Sequence, residues 1–334
     1  MDDRLAARVA EQFGLTLITA VPVGFGADPT ATLWRATTRD GHEYAVKLSG
    51  GGTPAGLVVA AGLARRGVSG IPAPLVTRDG RLSAGHDGRR LRVVPWVSDE
   101  RAADGGMRPG HWRRFGALLA AAHAVPLADE LAGLPREDHT HAAIAAAVRE
   151  TDRRLHAVDG SADRWTREVA AHWRAVAADA ARLLDRVDRL GAELRACPAE
   201  LVVCHGDPHL GNVLLGPGGE VWLVDWDDAL LAPRERDLMF VFGGGPAFAF
   251  DSRLDEAAFR AGYGPVEPDR VRLAYHLGVR ALDDLWSWSA EVADAGRSEA
   301  DRVRALRIVE GLLSPAGLVG LARGALRDLG RWDS

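Results

Sequence analysis

Apolar and polar positions alternate in short runs over the first third of the chain. Leu15 to Val23 is apolar and β-branched, Thr32 to Thr37 alternates with Trp34 and Ala36 on one face, and Glu43 to Leu48 repeats the alternation. Such runs predict strands. Asp40-Gly41 lies between the second and third runs and signals a hairpin, because glycine tolerates the positive φ of a tight turn. Residues 3–13 read as a short helix, and so does Pro54 to Arg66, with its proline in the first turn. Leu75 to Leu82 and Arg90 to Val94 read as two further strands. From about residue 110 the period changes to that of a helix. Helices are expected at 110–124, 139–157, 161–195, 234–242, 253–262, 267–294, 298–313 and 316–329.

One stretch interrupts the helices. Residues 201–228, LVVCHGDPHLGNVLLGPGGEVWLVDWDD, alternate short apolar runs with polar clusters. Leu201 to Cys204, Val213 to Leu215 and Val221 to Val224 are expected strands, and Gly216-Pro217-Gly218-Gly219 is a turn. The result is a hairpin-like unit that carries Asp207, Asn212 and Asp225 on adjacent loops. Two carboxylates and a carboxamide are hard oxygen donors. They suit a divalent cation, with one carboxylate left for proton transfer.

Composition narrows the class. The 334 residues are 47% hydrophobic and 26% charged, ordinary for a globular protein large enough for two lobes. No continuous apolar run approaches the roughly 20 residues that span a bilayer, and the start MDDRLAARVAEQ is unlike a secretory signal. Cys197 and Cys204 form no CxxC pair, so neither a disulfide framework nor a zinc site is expected. A cytoplasmic setting, no membrane, no nucleic acid and a monomer or weak dimer are the expectations. A net charge of −5 fits a cationic small-molecule acceptor. Of 41 basic residues, Lys47 is the only lysine. A lysine kept where arginine has filled every other basic position marks a site that needs a compact ammonium.

Lys47 in YAVKL, His205-Gly206-Asp207 with Asn212, and Asp225 in VDWD occur in the order and with the separations of the protein-kinase-like fold. The chain resembles its aminoglycoside phosphotransferase and small-molecule kinase branch. The run DWDDALLAPRERDLMF is similar to that of the spectinomycin phosphotransferase group. The resemblance implies an α+β, two-lobe protein. An antiparallel-sheet nucleotide-binding lobe would span residues 1–95 and a mainly helical lobe residues 96–334. It also implies an ATP- and Mg2+-dependent O-phosphotransferase. Asp207 would be the base, Asn212 and Asp225 the magnesium ligands, and Lys47 a phosphate contact. Gly24 and Gly26 would lie in the phosphate-covering loop, and Pro95, Trp96 and Val97 would offer backbone groups to adenine. His205 is expected to brace the loop, and Asp237 to cap a helix.

An aminocyclitol or aminoglycoside acceptor calls for acids and aromatic walls. Asp227, Asp228, Glu235, Asp284 and Trp286 are the candidates. The alternatives are another hydroxylated acceptor, such as choline, homoserine, a macrolide or a sugar, or a nucleotide-binding protein without catalysis. One departure from the kinase pattern stands out. Kinases pair the strand lysine with a glutamate on the next helix, yet no Asp or Glu occurs from Leu48 to Arg78. Glu43 lies roughly 13 Å along the strand, which leaves a more distant acid such as Glu11, or no protein partner at all.

Overall fold

The computed structural model describes residues 1–24, 31–50, 54–126, 131, 133–243 and 254–333. Gly26, with most of the expected phosphate loop, lies outside the described residues. In chain order the elements begin α1 (Asp3–Phe13), β1 (Leu17–Val23), β2 (Thr32–Thr38), β3 (Glu43–Ser49), α2 (Ala55–Arg65), β4 (Ala84–His86) and β5 (Arg89–Pro95). Next come β6 (Glu100–Arg101), α3 (Ala102–Gly105), α4 (Pro109–His123), α5 (Ala142–His156), α6 (Arg164–Ala196) and β7 (Val202–Cys204). Then follow β8 (Val213–Leu215), β9 (Val221–Leu223), β10 (Leu230–Ala232) and α7 (Glu235–Phe242). The chain closes with α8 (Glu256–Tyr263), α9 (Arg270–Ala293), α10 (Glu299–Leu313) and α11 (Leu318–Asp328).

These elements form two compact units. The first holds Met1–Arg136, Leu201–Ala232 and the described part of Phe248–Val266. Its five-stranded antiparallel sheet has the order β1-β2-β3-β5-β4. The inward positions of β2, β3 and β5 (Trp34, Ala36, Val46, Leu48, Leu91 and Val93) pack on Leu5, Val9 and Phe13 of α1. That helix starts where Asp2 accepts the Leu5 N–H at 2.8 Å and stops at Gly14, whose φ is +72°. In the same unit α4 packs closely on α8: a Cβ on Gly116 or Gly262 would overlap the facing backbone.

The second unit holds Glu137–Glu200, Pro233–Ala247 and Glu267–Ser334. Its central helix is α9, in contact with α5, α6, α7, α10 and α11. Helix starts here follow from capping residues: Asp163 accepts the Trp165 and Thr166 N–H groups, Asp269 those of Val271 and Arg272, and Ser298 that of Asp301. By mean hydropathy the stretch Glu299–Asp328 is long and apolar enough to cross a membrane. Residues 314–317 divide it into α10 and α11, each with one buried face.

Two expected strands need correction. Residues 75–82 do not form one. Thr77 N–H bonds the Arg81 carbonyl at 2.7 Å, its hydroxyl accepts the Arg81 N–H at 2.8 Å, and Gly80 takes φ +84°. Asp79-Gly80 therefore closes a turn, and the short β4 follows it. The strand after Leu201 does not join the hairpin of β8 and β9. It pairs antiparallel with β10, an element that the pattern of polar and apolar residues did not reveal, and β8 pairs instead with β6.

Candidate active site

The stretch 201–228 falls wholly within the first unit, together with Lys47. Val202, Val203 and Cys204 are buried, so β7 anchors the loop that follows it. Neither cysteine is in a disulfide: Cys204 is buried and its thiol donates to the Ala232 carbonyl at 3.7 Å, and Cys197 is exposed. Gly206 has φ +87°, and a Cβ there would overlap the Asp228 carbonyl oxygen. Only glycine lets the chain turn that tightly. His205 is fully buried. Its Nε2–H donates to the Val224 carbonyl at 2.9 Å, and its Nδ1 accepts the Asp207 N–H at 3.2 Å. One neutral tautomer satisfies both bonds, so His205 braces the Asp207 loop against the strand that leads to Asp225.

Asp207 keeps 17% of its side-chain exposure. His209 Nδ1 accepts the Gly211 N–H at 2.9 Å, which turns Nε2 toward Asp207 Oδ2, 3.4 Å away. Asn212 Nδ2 donates to the Asp207 carbonyl at 2.9 Å, and the Asn212 carbonyl accepts the Val224 N–H at 2.9 Å. The amide nitrogen is thereby committed, and the carboxamide oxygen is the atom offered to a ligand. Asp225 sits in the left-handed region at φ 61° and ψ 63°, one of three described non-glycine residues with positive φ.

Lys47 meets that second acidic loop. Its Nζ lies 2.9 and 3.1 Å from the two Asp225 carboxylate oxygens and 2.9 Å from Asp227 Oδ2. Arg92, which faces Lys47 across β3 and β5, donates to Asp225 Oδ1 at 2.9 Å and to both oxygens of Asp227. Desolvation pushes the Asp225 carboxyl upward, but the Lys47 ammonium and then the Arg92 guanidinium outweigh it. Together they hold the group well below the usual carboxylate range. Neither acid considered from the sequence reaches the lysine: Glu43 pairs with Arg35 at 2.7 Å and Glu11 with Arg8 at 2.8 Å. Arg92 was missed because one arginine on a strand carries no signal among forty.

The other expected residues divide. Gly24 is exposed at the end of β1. Pro95 closes β5 opposite Tyr44, and the Trp96 N–H donates to the Glu43 carbonyl at 2.9 Å. Val97 follows, half-buried, in irregular chain. Asp227, expected among the acceptor-binding acids, gives both oxygens to Lys47 and Arg92, and Asp228 is exposed. In the second unit Glu235 is buried and accepts the Asp269 N–H at 3.0 Å, which supports the start of α9. Asp284 is buried and pairs with Arg280 at 2.9 Å. Half-buried Trp286 donates to Asp283 at 2.9 Å. Glu235 and Asp284 thus spend charge inside their own unit.

Comparison with known proteins gives a consistent picture. The family model described as "Phosphotransferase enzyme family" matches residues 19–276, more than half of the chain. A sequence comparison with the curated proteins finds no significant match. Among solved structures, the fold is similar to that of a spectinomycin phosphotransferase in complex with ADP and spectinomycin. The TM-score is 0.82 at 24% identity, covering 97% of this chain and 98% of that one. An aminoglycoside phosphotransferase from Alicyclobacillus acidocaldarius gives 0.56 at 18% identity, covering 99% and 96%. A choline/ethanolamine kinase family protein from Mesorhizobium loti gives 0.57 at 19% identity, covering 98% and 99%.

Proposed function

The chain belongs to the phosphotransferase enzyme family and is a small-molecule kinase in the protein-kinase-like fold, and we propose that it transfers the γ-phosphate of ATP to a hydroxyl of an aminoglycoside- or aminocyclitol-type acceptor. The observation that carries the reading is that Lys47, Asp207, Asn212 and Asp225 belong to one compact unit, tied together by the Lys47–Asp225 pair and the Asn212–Val224 ladder. Asp207 accepts the proton of the acceptor hydroxyl. His209 lies 3.4 Å from its carboxylate, and bonds to His205 and Asn212 hold its main chain in place. The Asn212 carboxamide oxygen and the Asp225 carboxylate are hard oxygen donors that would hold magnesium. When bound, magnesium would neutralise charge on the phosphates. Lys47 contacts the phosphates, and residues 95–97 offer the base the backbone groups that remain once the Trp96 N–H is given to the Glu43 carbonyl. An aminocyclitol acceptor draws support from the likeness to a structure that contains spectinomycin.

A second acceptor class has its own observation. Glu235 and Asp284 are engaged with Asp269 and Arg280, so the case for a polycation is thinner than the count of acids suggested. Another hydroxylated amine is the alternative. Catalytic silence has lost its support, because Lys47 has two carboxylate partners after all. ADP release measured over aminoglycosides, spectinomycin, macrolides, choline and amino alcohols tests the proposal. Turnover with spectinomycin or an aminoglycoside is the expected result. Turnover confined to choline or simple amino alcohols would move the assignment to the alternative.

A further inference from the structure

Lys47 and Arg92 are directly opposed in the register of β3 and β5. Cross-strand neighbours project from the same face with Cβ atoms about 5 Å apart. Two adjacent cations repel unless acids lie between them, and Asp225 and Asp227 do so. Both cations are largely buried, with side-chain exposures of 13% and 11%. Arg92 takes both oxygens of Asp227, and a guanidinium fork of that kind fixes the plane of the carboxylate as an ammonium cannot. The carboxylate held in that plane points Oδ2 at Lys47.

Helix α2 cannot do this work. It carries no acid, most of its residues are buried, and Gly56 lies so close to the chain that a Cβ would overlap the Trp226 carbonyl oxygen. The loop that contains Asp227 therefore occupies the place against α2.

From these contacts we infer that Asp227, held in plane by Arg92, braces Lys47 in the role that a helix glutamate plays in protein kinases, so that the lysine is positioned from the Asp225 loop. Asp227 and Arg92 are positioning residues for the nucleotide half of the site. The inference rests on the proposed role of Lys47 as a phosphate contact.

Calorimetric titration with Mg-ADP, together with steady-state kinetics on an acceptor found by the screen, tests it. Asp227→Asn and Arg92→Gln should each raise the nucleotide Kd and KM by about tenfold, the scale of one charge-assisted hydrogen bond. The acceptor KM should stay within about twofold, since a uniform loss of packing would not single out one substrate. Asp227→Glu should recover most of the loss. The double variant should lose less than the product of the two single losses, because Arg92 acts in part through Asp227 and in part through its bond to Asp225. Thermal unfolding of each variant identifies any that fails to fold, in which case Arg92→Lys carries the arginine arm.

A raised acceptor KM with unchanged nucleotide affinity would overturn the inference and return Asp227 to the acceptor. Multiplicative effects in the double variant would also overturn it. Normal nucleotide binding by the wild type and by Asp227→Asn alike sinks this inference alone. A wild type that binds no nucleotide sinks the proposed function as well.

Discussion

Asp207, Asn212, Asp225 and Lys47 were legible as candidates because their types and separations match what phosphoryl transfer calls for. Arg92 was not. It lies 45 positions from Lys47 in the chain, and only the pairing of β3 with β5 makes the two neighbours. Asp227 was legible as an acid but not as a partner. Its direction is set by the short 3-10 turn Trp226–Asp228 that follows the left-handed Asp225. Asp207 offers the most direct test at this scale. Asp207→Asn keeps the shape and the main-chain bonds to His205 and Asn212, yet removes the proposed proton acceptor. The expected result is a fall in kcat of about a thousandfold, within the range for a lost general base, with Mg-ADP affinity nearly unchanged. A variant with normal turnover would remove Asp207 from its proposed role.

Among elements, long periodic helices were read within a few residues of their observed ends, because the helical period is a local signal repeated over several turns. Short strands were not. β6 and β10 have two and three residues, too few for any period to register. Pairing in space selects them: β10 exists because β7 needs a partner edge. Helix α2 illustrates how position changes the meaning of one residue type. Gly56 abuts the Trp226 carbonyl, whereas a Cβ at Gly62 would meet the ends of two long side chains, Arg66 at 3.1 Å and Arg65 at 3.9 Å. Gly62→Ala should therefore stabilise the fold by roughly 0.5–1 kcal/mol through helix propensity. Gly56→Ala should lower Tm and weaken nucleotide binding, because it displaces the loop that carries Asp225 and Asp227. Thermal unfolding of the two variants side by side checks both directions, and equal behaviour would remove the special role of Gly56.

For the molecule as a whole, pH dependence follows from a buried histidine in the second unit. His276 on α9 is fully buried, and burial first, then Arg236, His139 and Arg272, holds its imidazole well below the ordinary value of 6.5. His139 is lowered as well, again chiefly by burial. In the unfolded chain both rings take up a proton near the ordinary value, whereas in the folded chain protonation of both is shifted to lower pH. Protonation thus favours the unfolded state. Stability is complete above about pH 6.5 and declines as pH falls below it, by up to about 1.4 kcal/mol per pH unit for each ring. Urea midpoints between pH 7.5 and 5 measure the slope, and His276→Gln should reduce it. An unchanged slope in that variant would mean that His276 is not the group responsible.

The sequence by itself determined the class of the fold and marked two chemically distinct acidic loops and a single lysine as candidates. Alternation and helical period act over neighbouring residues, and three of the four candidates, Asp207, Asn212 and Asp225, stand within 18 positions of one another. The tertiary structure alone decided which acid holds Lys47, that Arg92 stands beside it, that Glu235 supports the start of α9 and that Asp284 pairs within α9. Those outcomes depend on strand register and on distances between residues far apart in sequence. A charge finds its partner by the Coulomb energy of proximity, and proximity across a sheet or between helices is not written in any one segment.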